Sequence, residues 1–329
     1  MRRACSLPPT CRPSTDRASH DPRRRVSVTV GSPAGLLYVD KPVGLSSHDV
    51  VAIVRRAARS KRVGHAGTLD PFATGLLVIA IGPCTRLLPY VVGEPKVYET
   101  TIRFGAETDT DDRTGQTTRQ VAPPPSAWLA DPESVERRAA EATLTGHIAQ
   151  VPPAFSAKHV EGQRAYDLAR QGREVTLPPV SVQVHRWDWL AATADSLSVR
   201  ITCGGGTYIR ALARDLGRLL GSAAHCEALR RVASGPAHVS DAIALDALLP
   251  GAIADGTVAL RAPLAALGDV AHQPLDDEQR AHLRHGRALR ATVPGLRAAL
   301  IEDEQVVAIA ERTADDRWQP RVVLIGAAS

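Results

Sequence analysis

The chain has 329 residues, 44% hydrophobic and 23% charged, which predicts two globular domains and excludes collagen-like, coiled-coil and wholly disordered chains. Its net charge of +5 is local: seven arginines against Asp16 and Asp21 within residues 1–30 account for all of it, so any polyanion-binding surface elsewhere must come from clustering. No apolar run approaches the ~18 residues a membrane helix needs, and five cysteines without a C-x-x-C spacing argue against a disulfide framework or zinc site and for a reducing, cytoplasmic location.

Residues 1–30 are rich in Arg, Pro and Ser and lack an apolar h-region, so a disordered extension is expected there rather than a secretory signal. Pro8, Pro9, Pro13 and Pro22 oppose the amphipathic helix of a transit peptide. Leu36 to Val39 reads as a strand and Asp40 to Gly44 as a turn. Ser46-x-x-Asp49 then opens a helix in the manner of a capping box, with Val50, Ile53, Val54 and Ala57 at helical spacing. Arg55, Arg56, Arg59, Lys61 and Arg62 crowd its end, where the helix dipole favours cations. A solvated helix face and a polyanion contact are both open readings of that cluster.

Gly64 to Gly75 reads as a glycine-rich loop running into a buried strand, Leu76 to Ile81. Its one carboxylate, Asp70, precedes Pro71, which biases it toward an extended backbone; an Asx-turn and a functional carboxylate both remain open. Tyr98, Thr100, Ile102 and Phe104 alternate on one face of a strand, pointing Tyr98 inward. The acidic turn Asp109 to Asp112 reads as a strand connection, without the pattern of a calcium loop. Asp131-Pro132-Glu133 predicts an N-cap with Pro at N1, opening a helix that Gly146 closes. Val180, Val182 and Val184, then Leu197, Val199, Ile201 and Cys203, alternate as strands, an α+β pattern.

The turn Gly204-Gly205-Gly206 is a candidate anion cradle, although it matches neither phosphate-loop pattern. Beyond it, Ile209, Leu212, Leu216, Leu219 and Leu220 mark the buried stripe of a helix. With Thr207 as N-cap, Arg210 falls near N3, where a cation opposes the dipole and an anionic partner is expected. That partner is a phosphate or a carboxylate such as Asp70.

Five segments in order, DKPVGLSSHDVV, GHAGTLDPFATGLLVIAIG, KVYET, VPPAFSAKHVEGQRAYDLARQG and CGGGTYIRALARDLG, resemble the motifs of bacterial TruB-type tRNA pseudouridine synthases over roughly residues 36 to 235. The resemblance implies an α+β catalytic domain over 31–270 with a mixed, mainly antiparallel sheet, and a small β-rich, PUA-like RNA-binding domain over 271–329. It also implies an isomerase that flips uridine 55 out of the T loop of tRNA and remakes its glycosidic bond as a C-glycoside. By motif, Asp70 is the catalytic aspartate, Arg210 its partner and Tyr98 the residue that stacks on the base and helps remove the C5 proton. His65 resembles the residue that intrudes into the vacated space, and Lys41, Tyr208 and Leu229 resemble substrate-pocket residues. The cluster Arg55 to Arg62 gains the tRNA backbone as partner. No cofactor or metal is implied, nor an obligate protein partner; a monomer acting on the T arm is expected. The glycines at 204 to 206 depart from relatives that carry a serine or lysine there. A noncatalytic RNA binder and a nucleotide-dependent enzyme using that turn are the competing readings.

Overall fold

The computed structural model describes residues 33–91, 93–156, 159–160, 163–164, 177–268 and 270–324; the arginine-rich extension and the motif around Lys158 lie outside the described residues. The strands in the first part are β1 (Gly35–Lys41), β2 (Val63–Ala66), β3 (Thr74–Ile81), β4 (Lys96–Phe104), β5 (Ala106–Thr108), β6 (Thr117–Gln120) and β7 (Gly146–Gln150). They are followed by β8 (His159–Val160), β9 (Gln163–Arg164), β10 (Val180–Ala192), β11 (Ser196–Cys203), β12 (Ala224–Ser234), β13 (Ala237–His238) and β14 (Ile243–Ala244). Among the described residues the largest sheet has the order β14-β1-β3-β12-β4-β11-β10-β7, with β2 joined to β3 and β13 to β12. It is mixed and mainly antiparallel; β1 with β14 and β12 with β3 are its parallel contacts.

The continuous apolar run of β3 follows from burial on both faces. Leu77, Ile79 and Ile81 pack with Leu37 and Val39 of β1 against the helix Ser47–Ala58, through Val50, Val51 and Val54. Leu76, Val78 and Ala80 pack with Leu36 and Tyr38 against Ala299, Val306, Ile309 and Val322. Those last residues belong to a second sheet, β15 (Ala271–Pro274), β16 (Leu289–Arg290), β17 (Arg297–Glu302), β18 (Gln305–Arg312) and β19 (Arg317–Val323), ordered β15-β17-β18-β19-β16. Trp318 is fully buried inside it beside Leu283, Leu289 and Leu300. The two sheets therefore share a core.

The third core, on the inward face of β4, β11 and β12, is covered by the helix Ile209–Leu219 through Ile209, Leu212 and Leu216. Leu219, expected in that stripe, is 47% exposed. Three other expectations shift. The loop over 64 to 75 begins as β2, whose Val63 and Ala66 are buried while it pairs antiparallel with β3. The helix expected from Asp131 starts at Val135, because the Ser134 hydroxyl accepts from Arg137 N–H while the Asp131 carboxylate accepts from Glu133 N–H at 2.9 Å. Arg210 sits at N2, since Tyr208 is the N-cap and the Thr207 hydroxyl donates to Gly204 C=O at 3.0 Å.

The sheet is split where the site forms. The ladder between β12 and β3 is short, pairing Arg230 with Thr74 and Arg231 with Gly75. Further along, the turn 109–114 borders β12 through an Asp112 to Cys226 bridge, and the chain before β3 turns at Asp70, whose C=O accepts from Ala73 N–H at 3.1 Å. Gly75 permits the close approach: its φ is +98° and a Cβ there would lie 2.3 Å from Arg231 C=O.

Candidate active site

Asp70 is held by its neighbours on both sides. Leu69 N–H donates to the Ser47 hydroxyl at 2.8 Å, which in turn donates to Leu69 C=O at 3.1 Å. Pro71 C=O accepts from Gly44 N–H at 2.7 Å and from Lys41 Nζ at 3.4 Å. Lys41 is 0% exposed and also donates to Leu45 C=O at 2.6 Å and Pro42 C=O at 3.0 Å, so its ammonium braces the loop from within. Burial pushes the Lys41 pKa down to about 8, against the pull of Asp70.

Arg210 meets Asp70 with two nitrogens, Nε to Oδ2 at 3.0 Å and Nη2 to Oδ1 at 3.3 Å. Its remaining donors go to Thr110 C=O at 2.7 Å and Phe155 C=O at 3.0 Å, and Nη1 lies 3.4 Å from Asp112 Oδ2. Arg210 is buried, whereas the Asp70 side chain is 37% exposed. The protein packed on its other sides nevertheless makes burial the largest influence, raising the Asp70 pKa above its ordinary value while Arg210 opposes the rise.

Tyr98 is buried, with its hydroxyl bonded to Arg231. Burial raises its pKa and Arg231 opposes that rise. Arg231 is fixed by donating to Leu76 C=O at 2.7 Å and Gly67 C=O at 3.0 Å. His65 is half-buried, edge-on to His48 at 5.6 Å, with Nδ1 lacking a partner among the described residues; burial, then His48 and Arg231, lower its pKa and favour the neutral ring. Burial raises the Tyr208 pKa, and its backbone N–H and C=O both engage the Gln150 side chain, at 2.9 and 3.1 Å. Leu229 is buried with Leu69 and Phe72, and with Phe72 and Arg230 it lines a cleft of about 430 Å³.

The cluster Arg55, Arg56, Arg59, Lys61 and Arg62 is exposed, at the opposite end of the helix whose Ser47 holds Leu69, about 16 Å away by helical rise. The structure thus brings Asp70, Arg210, Tyr98, His65, Tyr208 and Leu229 to the split in the sheet, places Lys41 beneath it and leaves the basic cluster remote.

Sequence reasoning missed Asp111, Asp112 and Arg214. Arg214 Nη1 meets Asp111 Oδ2 at 2.7 Å and Nη2 donates to Val151 C=O at 2.9 Å, so two arginines one turn apart grip both the acidic turn and the 151–155 segment. Burial pushes the Asp111 carboxyl up to about 6. The available signal was Arg-x-x-x-Arg on the buried side of a helix, which requires buried acceptors. Gly205 N–H, in the proposed anion cradle, is taken by the Glu94 carboxylate at 2.7 Å, leaving that turn poorly placed for a nucleotide phosphate. Among the described residues no group of three or more His, Cys, Asp or Glu could hold a metal, and no helix is long and apolar enough to cross a membrane.

Residues 55–209 match the model of the TruB family pseudouridylate synthase N-terminal domain, and residues 210–267 that of the tRNA pseudouridylate synthase B C-terminal domain. A protein of Leifsonia xyli named tRNA pseudouridine synthase B is 46% identical over 260 residues, covering 78% of this chain and 83% of its own. One of the same name from Mycobacteroides abscessus is 42% identical over 284 residues, covering 84% and 92%. The crystal structure of the archaeal box H/ACA sRNP Nop10-Cbf5 complex contains a chain similar in fold, with a TM-score of 0.65 at 20% identity over 89% of this chain and 87% of that one.

Proposed function

From the premise that the chain belongs to the TruB family of pseudouridylate synthases, which are isomerases, we propose that it converts uridine 55 in the T loop of tRNA to pseudouridine. The observation that carries this reading beyond family membership is the Asp70–Arg210 pair at the floor of an open split in the sheet. Binding RNA requires no carboxylate there, and an exposed carboxylate repels phosphate. Cleaving the N-glycosidic bond develops positive charge on the ribose, which an ionised, aimed carboxylate meets by charge or by covalent addition.

Each step has a residue. The base is flipped out at a cost of a few kcal/mol, His65 fills the space it leaves, and Tyr98 and Leu229 enclose the uracil. The freed base turns so that C5 faces the ribose, the C–C bond forms, and the C5 proton departs with the help of Tyr98. The proton gained at N1 balances the one lost at C5, so the reaction needs no redox partner. In this reading tRNA is the partner, the enzyme acts in the cytoplasm as a monomer, and the sheet over residues 271–324 adds RNA affinity.

The test is turnover of an unmodified T-arm hairpin without added metal or cofactor. Pseudouridine at the single loop position is expected. A protein that binds the hairpin tightly and leaves every uridine unchanged overturns the reading.

A further inference from the structure

Lys96 and Arg231 lie outside the Asp70–Arg210 pair, and both are deeply buried, at 8% and 1% exposure. Among the described residues neither makes an ion pair with a carboxylate, the usual condition for burying a cation. Arg231 commits Nε and Nη2 to backbone carbonyls, and the Tyr98 hydroxyl lies against the same guanidinium. Its third nitrogen, Nη1, converges with Lys96 Nζ on one spot: a Cβ built on Gly67 would lie 3.1 Å from the first and 3.5 Å from the second. The repulsion shows in Lys96, whose pKa is lowered first by burial and next by Arg231. Glu94, which pulls the other way, already accepts from Gly205 N–H.

Two cations thus meet under a residue that has no side chain to cover them, on a half-buried stretch of loop where φ is +78°. Buried cations without a carboxylate partner call for a counter-charge from outside the fold. Gly67 precedes Asp70 by three residues, at most ~11 Å of chain, and Lys96 shares the inward face of β4 with Tyr98. That is the reach between a reacting nucleotide and the phosphates beside it.

We propose that Lys96 Nζ and Arg231 Nη1, which converge beside Gly67, bind one RNA backbone phosphate adjacent to the flipped uridine. The site rests on the reading of the chain as an RNA-modifying enzyme and deepens it: it fixes the strand at one point while the base turns over Asp70. Charge-assisted hydrogen bonds from two cations make this phosphate worth more than a surface contact.

The experiment is a scan of T-arm hairpins, each carrying one neutral methylphosphonate, against the full-length protein. One position flanking the target uridine should weaken binding about ten- to hundredfold. Lys96→Met should weaken the native hairpin similarly, show no further loss at that one position, keep the losses at the others, and lower the salt slope by about one phosphate. Lys96→Arg should restore the sensitivity. Parent protein indifferent to every flanking methylphosphonate overturns the proposal without any variant, as does a Lys96→Met protein with native affinity. Turnover of the unsubstituted hairpin separates the two claims: its absence defeats the functional reading, whereas turnover with no sensitive phosphate defeats this site alone.

Discussion

Arg210 is shared by two carboxylates: its Nε lies 3.0 Å from Asp70, and its Nη1 3.4 Å from Asp112. Asp70 is partly exposed while Asp112 is buried, so the pairs have different tasks. The inner carboxylate holds the guanidinium plane, and the plane aims the outer one. Asp112→Asn should therefore lower kcat about 10²-fold, the scale of a small misplacement, with KM changed little. Arg210→Lys keeps the charge and loses the fork, and should fall at least as far. Single-turnover rates on a T-arm hairpin check both; an Asp112→Asn enzyme of parental kcat refutes the shared-guanidinium account.

Asp70→Asn retains the volume and the pinning by Ser47, Gly44 and Lys41, which acts on residues 69 and 71. Hairpin affinity should stay within a few-fold while turnover falls by about 10³-fold or more, because the lost interaction belongs to the transition state. Filter binding beside a pseudouridine assay reads both. Near-parental turnover would leave Asp70 as a structural partner of Arg210.

The pH profile follows from the same carboxylate. Burial raises the Asp70 pKa above 3.8, so kcat/KM on its acid limb should rise with pH through a value higher than that of an ordinary aspartate. Removing the opposing cation in Arg210→Ala should move the residual acid limb higher still. A limb that stays in place, or moves lower, contradicts the pairing.

What was legible in the sequence was local. The Ser46–Asp49 capping box has both of its bonds, at 3.2 and 2.8 Å, and the alternation around Tyr98 points the ring inward as expected. Each depends on neighbours within a few residues. Asp111 and Asp112 read as part of a strand connection because nothing nearby in the chain reveals that Arg210 and Arg214, about a hundred residues on, pack over them. Asp131-Pro132-Glu133 has the composition of a helix start, yet the Ser134 hydroxyl sits 3.3 Å from Arg137 N–H and takes the cap. Propensity pointed to Asp131 alone, and the geometry of the turn moved the cap three residues on. The family motifs pointed to Asp70 and Arg210; Arg231, whose guanidinium lies against Tyr98 and donates to Gly67 C=O, falls in none of the five segments and carries no local signal of its own.

Asp111 gives a stability prediction with a definite sign. Its carboxyl is raised from 3.8 to about 6 in the fold, so the folded state holds that proton more tightly than the unfolded chain. Unfolding then releases protons between about pH 4 and 6, and this group's contribution makes stability fall as pH rises through that window. Asp111→Asn should remove that component, visible as the difference between parental and variant Tm against pH. A difference that is flat across the window, or of opposite sign, shows that Arg214 outweighs burial.

The shared core makes the two sheets melt together. Ile309 of β18 is fully buried in a cluster that also holds Leu36, Tyr38, Leu76 and Val78 of β1 and β3. Arg86 reinforces the contact by donating to Val323 C=O at 2.6 Å, and Arg297 lies 5.0 Å from the centroid of the Tyr90 ring. Ile309→Ala should cost about 2–5 kcal/mol, felt in both sheets because its neighbours come from both. Amide hydrogen exchange is the measurement. Protection should fall in Leu36 to Val39 as well as in Val306 to Ala310, whereas a loss confined to the second sheet means the two units unfold independently.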